Sequence, residues 1–174
     1  SAIRSHLVGK SAALKPIAED GHVYSLATPV SLLHEQLWAQ RGTNQASVFP
    51  GFCSEHDRNL FSPVDSPTGP LDDRAAALLA YRAVTKESWS LQQNLAFGLR
   101  SKEFLDRGRP LGEQVVIQNH LNLQAHHHAM GLVDLRPRKQ RLEATLAGTG
   151  NGASFQWRSF DLGVPLPVVG CGGY

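Results

Sequence analysis

Three prolines fall within nine residues at Ser62–Pro70, SPVDSPTGP. Proline carries no backbone N–H, and its ring clashes with the carbonyl four residues back, so a helix arriving from the N-terminal side is expected to break here. The stretch therefore divides the chain into residues 1–66 and residues 67–174. A chain of 174 residues buries one sizeable core. The two parts are accordingly expected as lobes of a single unit.

The first part reads as short strands and loops. IRSHLV (3–8) and HVYSLA (22–27) are rich in β-branched and aromatic residues, with Gly21 in the turn before the second. A short helix limited by Pro16 is expected over Ser11–Glu19, and another over residues 31–40 with Ser31 as its cap. Residues 41–52 read as loop. CSEHDRNLF then opens a helix, with Ser54 as the expected cap and Glu55 and Asp57 where the helix dipole favours negative charge.

The second part reads as four helical segments: Leu71–Trp89, Ser90–Asp106, Glu113–Val133 and Arg136–Ala147, the last restarting after Pro137. In the third, Val116, Leu123 and Met130 form one apolar stripe. SFQWRSFDL and VPLPVVG then alternate like two strands. The expected class is α+β: a small treble-clef-like N-terminal lobe, a helical bundle and a C-terminal β-hairpin.

Composition narrows the function classes. The 41% apolar and 18% charged fractions describe an ordinary globular protein. A formal charge of +2 neither demands nor excludes nucleic acid. No apolar run approaches the ~20 residues that span a bilayer, so no membrane partner is expected. Two cysteines far apart in sequence do not make a secreted disulfide scaffold, which points to a reducing, cytoplasmic setting. The chain begins at Ser1 without Met, and any metal site in it is expected to draw ligands from upstream.

The chemistry concentrates in FPGFCSEHDRNLF (49–61), where Cys53 and His56 are spaced C-x-x-H after a Pro-Gly turn. Zinc takes sulfur and imidazole in a four-ligand tetrahedral shell. A cysteine on the turn and a histidine on the first helical turn can face one ion. Two ligands are only half a site; His6, His22 and Cys171 are the further candidates in this chain. The competing reading makes Cys53 a buried small hydrophobe and His56 a local hydrogen-bonding group.

The order of blocks, IRSH, IAEDGHVY, SVFPGFCSEHDRNLFSPVD and LLAYRAV, resembles a bacterial family of unknown function. Its layout is similar to HNH, treble-clef nucleases. That resemblance implies a cysteine knuckle upstream of the Ser-His block, His6 as general base, and Cys53 and His56 as the second, zinc-holding knuckle. It implies Asp57 or Asn59 as the polar residue early on the helix, beside Mg or another divalent ion. The chain departs from the pattern at Ser5, where such enzymes carry an acidic residue or a second histidine, and in the middle asparagine, for which Asn44 is the candidate. The implied activity is phosphodiester hydrolysis. The alternative is a non-catalytic protein-interaction module with a structural zinc, as in a bacterial defence or toxin system. A metal-free helical domain is a third reading.

Other features count for less. Arg136, Arg138, Lys139 and Arg141 form a basic cluster suited to phosphates, and Arg100, Lys102, Arg107 and Arg109 form a second. Basic residues on helices are also ordinary solvated faces. His126, His127 and His128 sit ~100° apart on a helix and cannot all ligate one ion. Trp38, Trp89 and Trp157 read as core or interface, and AGTGNGAS as a turn, since helix-loop-strand is the wrong order for a phosphate loop.

Overall fold

Strand β1 (Ser5–His6) pairs antiparallel with β4 (Val48–Phe49), Ser5 opposite Phe49 and His6 opposite Val48. Hydrogen bonds from Ile3 N to Phe52 O (2.7 Å) and Leu7 N to Ser47 O (2.8 Å) extend the pairing at both ends. This computed structural model describes residues 2–26, 38–67, 69–149, 156–160, 163–164 and 166–170. The described elements mix long helices with two small antiparallel sheets. The chain forms two compact units: residues 1–79 with 156–171, and residues 80–155 with 172–174.

In the first unit β2 (His22–Leu26) pairs with β3 (Trp38–Gly42) in unbroken antiparallel register. Residues 38–40 are therefore strand, where a helix end is expected from sequence; residues 27–37 lie outside the described residues. A five-residue π-turn (Lys10–Leu14) and a 3-10 turn (Lys15–Ile17) replace the expected helix over Ser11–Glu19. Pro16 fits there because the first turn needs no N–H from it. Leu14, Val23 and Ala46 form a small core that Val8, Ile17 and Val169 cover.

The Pro-Gly turn after β4 has a steric cause. The Phe49 ring folds over Gly51 so closely that a Cβ there would lie 2.1 Å from a ring carbon. Helix α1 (Ser54–Asp65) follows, with Cys53, not Ser54, at its N-cap. It runs through Ser62 and Pro63 and stops at Asp65, later than the prolines alone would dictate. Phe61 and Val64 are buried on its last turns, and this packing holds the helix across the hydrogen bond that Pro63 cannot make. Phe49, Phe52 and Phe61 meet edge to face, at 6.0 and 4.8 Å between ring centres. Phe61 is wholly enclosed.

Helix α2 (Asp73–Ser101) starts in the first unit, where Asp72 Oδ1 accepts from Ala75 N at 2.7 Å. The second unit is an antiparallel pair formed by its later turns and α3 (Leu111–Leu146). Tyr81 reaches Glu143 (3.2 Å), a Cβ on Gly131 would meet Leu91 (2.9 Å), and Gln118 donates to the Lys102 carbonyl (2.9 Å). Residue numbers rise on one helix as they fall on the other.

The breaks expected at Trp89/Ser90 and at Pro137 are absent. On α3 the residues turned inward are Leu121, Ala125, His128, Leu132, Leu135, Lys139 and Leu142, alternating by three and four. This seam runs past Pro137, which sits on the exposed side, so pairing with α2 carries the helix through.

The expected C-terminal hairpin is not found among the described residues. Residues 156–160, 163–164 and 166–170 contain no strand, and the rest of SFQWRSFDL and VPLPVVG lies outside them. Trp157 Nε1 instead donates to Asp73 Oδ1 at 2.7 Å. A strand needs a partner for its backbone groups, and alternation alone does not supply one.

Candidate functional site

Cys53 is the last extended residue before α1, and His56 is three positions into it. That spacing returns the imidazole over the cap, and Cys53 Sγ lies 3.1 Å from His56 Nδ1 in a hydrogen bond. Two tetrahedral zinc ligands with ordinary bond lengths sit about 3.5 Å apart, so a shift of a few tenths of an ångström would admit the ion between them. Cys53 is half-buried and free of disulfide, and His56 is exposed. Among the described residues no group of three or more His, Cys, Asp or Glu converges as a metal site.

Asp57 lies beside this pair, its N–H donating to the Cys53 carbonyl at 2.8 Å. Its Oδ1 is enclosed and has no hydrogen-bond partner among the described residues. Asn59 is exposed one turn beyond His56. Directly opposed residues of an antiparallel pair share a face, so Ser5 goes with Phe49 and His6 with Val48. Phe49 packs on Phe52 and through it toward Phe61 of α1. The residue that β1 turns toward α1 is therefore Ser5, fully buried with no hydrogen-bond partner for its hydroxyl among the described residues. Strand alternation in IRSH is the sequence signal for that placement.

His6, on the other face, is 3.1 Å from the Ala46 carbonyl through Nδ1. A carbonyl only accepts, so Nδ1 carries the proton and Nε2 is left as the basic nitrogen. His22 is engaged by the Asp20 carbonyl in the β2 turn (2.8 Å). Asn44 is held by Lys10, and Cys171 lies outside the described residues.

The basic residues of α3 do not form one stripe. Arg136, Arg138 and Arg141 are exposed and fan around the helix. Lys139 turns inward, 2.6 Å from Glu143 and 5.4 Å above the Tyr81 ring. The Lys139 hydrogen bond holds Glu143 below its ordinary value, although partial burial pulls the other way. Burial, with help from Glu143, raises the Tyr81 phenol against the opposing Lys139 charge. Burial works to lower Lys139, but the Glu143 bond and the Tyr81 and Glu143 interactions outweigh it and raise the ammonium. Arg109 pairs with Glu113 at 3.2 Å, and Lys102 bonds Asn122. The His126 and His127 rings lie 6.3 Å apart and tilted.

No helix among the described residues is long and apolar enough to cross a membrane. No family model, curated protein or solved structure matches the chain.

Proposed function

We propose that Cys53 and His56 are half of a zinc knuckle at the head of α1, in a treble-clef-like unit that acts on nucleic acid. The observation that carries this reading is the 3.1 Å approach of Sγ to Nδ1, directly behind an antiparallel strand pair and at the start of a helix. Zinc there would tie the Pro-Gly turn to α1 and keep the Cys53 thiol ionised. His6 has the tautomer a general base needs, with Nε2 basic. Asp57 has an enclosed oxygen without a partner, and Asn59 is exposed one turn on; both could serve a second, divalent ion such as Mg. Arg136, Arg138 and Arg141 offer solvent-facing charge for phosphates.

A second reading keeps the zinc structural and makes the helical pair a protein-interaction module. It draws on the placement of Ser5, not His6, on the α1-facing side of β1. It also draws on apolar residues that α3 turns to solvent.

Elemental analysis separates these readings from a metal-free domain. About one zinc per chain, lost in Cys53→Ser and His56→Ala, is the expected result, in this chain or in one extended upstream. Cys53 should then resist thiol reagents until a chelator is added. Absence of zinc from both chains sinks the knuckle. If zinc is present, DNA and RNA cleavage with added Mg tests catalysis. Cleavage unaffected by His6→Ala removes His6 as the base, and no cleavage at all leaves the structural reading.

A further inference from the structure

A cleft of about 630 Å³ lies within the first unit, between the π-turn (Lys10–Leu14), the last turn of α1 and the start of α2. Protein interiors keep few voids larger than a water molecule. Here the lining side chains are small: Gly9 just before the turn, Ala12 and Ala13 within it, Val64 on α1 and Ala75 on α2. Leucine at any of the three alanines would fill much of the space. Gly9 also lets the turn lie against the end of α1, where a Cβ would meet Asp65 Oδ1 at 2.9 Å. Pro63, Pro67 and Pro70 line the cleft as well, and their fixed φ angles resist its collapse. Single π-turns, wider than α-turns, are frequent at functional sites.

Charge and size define the occupant. Asp72 is the one polar side chain among the described lining residues; the others are Gly, Ala, Pro, Val or Leu. Asp72 Oδ1 caps α2 by accepting from Ala75 N at 2.7 Å, and a carboxylate offers its remaining lone pairs only to donors. No Lys, Arg or His among the described lining residues balances it, so an anion is repelled. An apolar cavity of roughly 150 Å³ takes one benzene, and this cleft is about four times as large. We infer that it binds an apolar small molecule of about three rings, bearing an N–H, O–H or ammonium donor and no negative charge.

A peptide is less well served. Extended peptides dock through backbone hydrogen bonds. Pro63, Pro67 and Pro70 have no N–H to give, and the Gly9 carbonyl is taken by Ala13 N (2.9 Å) and Leu14 N (3.2 Å). Neither Cys53 nor His56 lines the cleft, so the inference goes beyond the knuckle and does not depend on it.

Fluorescence titration of the full chain with two matched dyes tests it. N-phenyl-1-naphthylamine is uncharged and carries an N–H; 8-anilinonaphthalene-1-sulfonate has the same rings and a negative charge. The uncharged dye should bind saturably with a Kd of about 10 μM, and the sulfonate about tenfold more weakly. Ala75→Phe and Ala12→Trp should each weaken the uncharged dye about tenfold or more, with the helical circular dichroism unchanged. If Ala75→Phe unfolds the chain, Ala12→Trp, at an exposed position of the turn, decides. Asp72→Asn keeps a capping residue and removes the charge, so it should bring the two dyes within about threefold of each other. No saturable binding at about 100 μM chain overturns the proposal, as does binding indifferent to Ala12→Trp, or a sulfonate that binds the parent chain as tightly as the uncharged dye. Displacement of the dye by acetyl-tetraalanine amide as readily as by 1-naphthol assigns the cleft to a peptide and overturns it too.

Discussion

The two compact units are held together by different kinds of contact. In the first, β1 lies against β4 from far along the chain, and three large rings close in sequence, Phe49, Phe52 and Phe61, meet edge to face. The strand pairing closes a long loop before it contributes, and the ring cluster beside it gathers its burial into a few side chains. In the second, α2 and α3 pair through a repeated seam, mostly aliphatic but taking in His128 and Lys139, that runs along both helices. The lesson is that a core of few large rings concentrates stability, whereas a long helical seam spreads it.

The largest expected effect follows from that contrast. Phe61→Ala removes a fully enclosed ring and should cost about 3–5 kcal/mol, read as loss of the near-ultraviolet aromatic signal in a denaturant titration. A cost below about 1 kcal/mol would mean the aromatic trio is not the centre of its unit.

Glycine substitutions should have opposite signs in the two regions. Gly51→Ala drives a methyl into the buried Phe49 ring and should destabilise by about 1–3 kcal/mol. Gly98→Ala, inside α2 with open space where its Cβ would go, should stabilise by about 1 kcal/mol. Thermal midpoints moving in the same direction in both variants would break the comparison.

The smallest expected effect is electrostatic. Glu143 titrates below its ordinary 4.5 in the folded chain, so its pairing with Lys139 stabilises above that value and fades as pH falls through the lowered one. Lys139 is raised above 10.5, so its share holds below that value and is lost as pH rises beyond it. Glu143 is exposed and Lys139 is about a third exposed, and solvent screening keeps Glu143→Gln to about 0.5 kcal/mol. Urea midpoints of the two chains should differ at pH 7 and converge near pH 3; a gap that persists there would place the effect elsewhere.

Much of the candidate knuckle was legible before any coordinates. C-x-x-H after Pro-Gly implied a cysteine on the turn and a histidine on the first helical turn, and the side chains do converge there. That geometry is local, since three residues of helix fix it. Strand β2 was likewise readable from HVYSL. The stripe Val116, Leu123, Met130 was readable as a periodic pattern but not as a surface, because periodicity states that residues share a side and is silent on which side faces the partner helix.

What the sequence determined by itself is the local grammar: a helix opening within CSEHDRNLF, helical character in the stretch after Pro70, and the C-x-x-H spacing that brings Cys53 and His56 together. Backbone propensity, capping and spacing act over a few residues, so they can be read from a few residues. Tertiary structure decided where the prolines mattered, since burial of Phe61 and Val64 carries α1 past Pro63 and the α2 seam carries α3 past Pro137. It also decided that Ser5, and not His6, turns toward α1. Those outcomes depend on partners dozens of residues away, and packing against them outweighs the cost of one missing helical hydrogen bond.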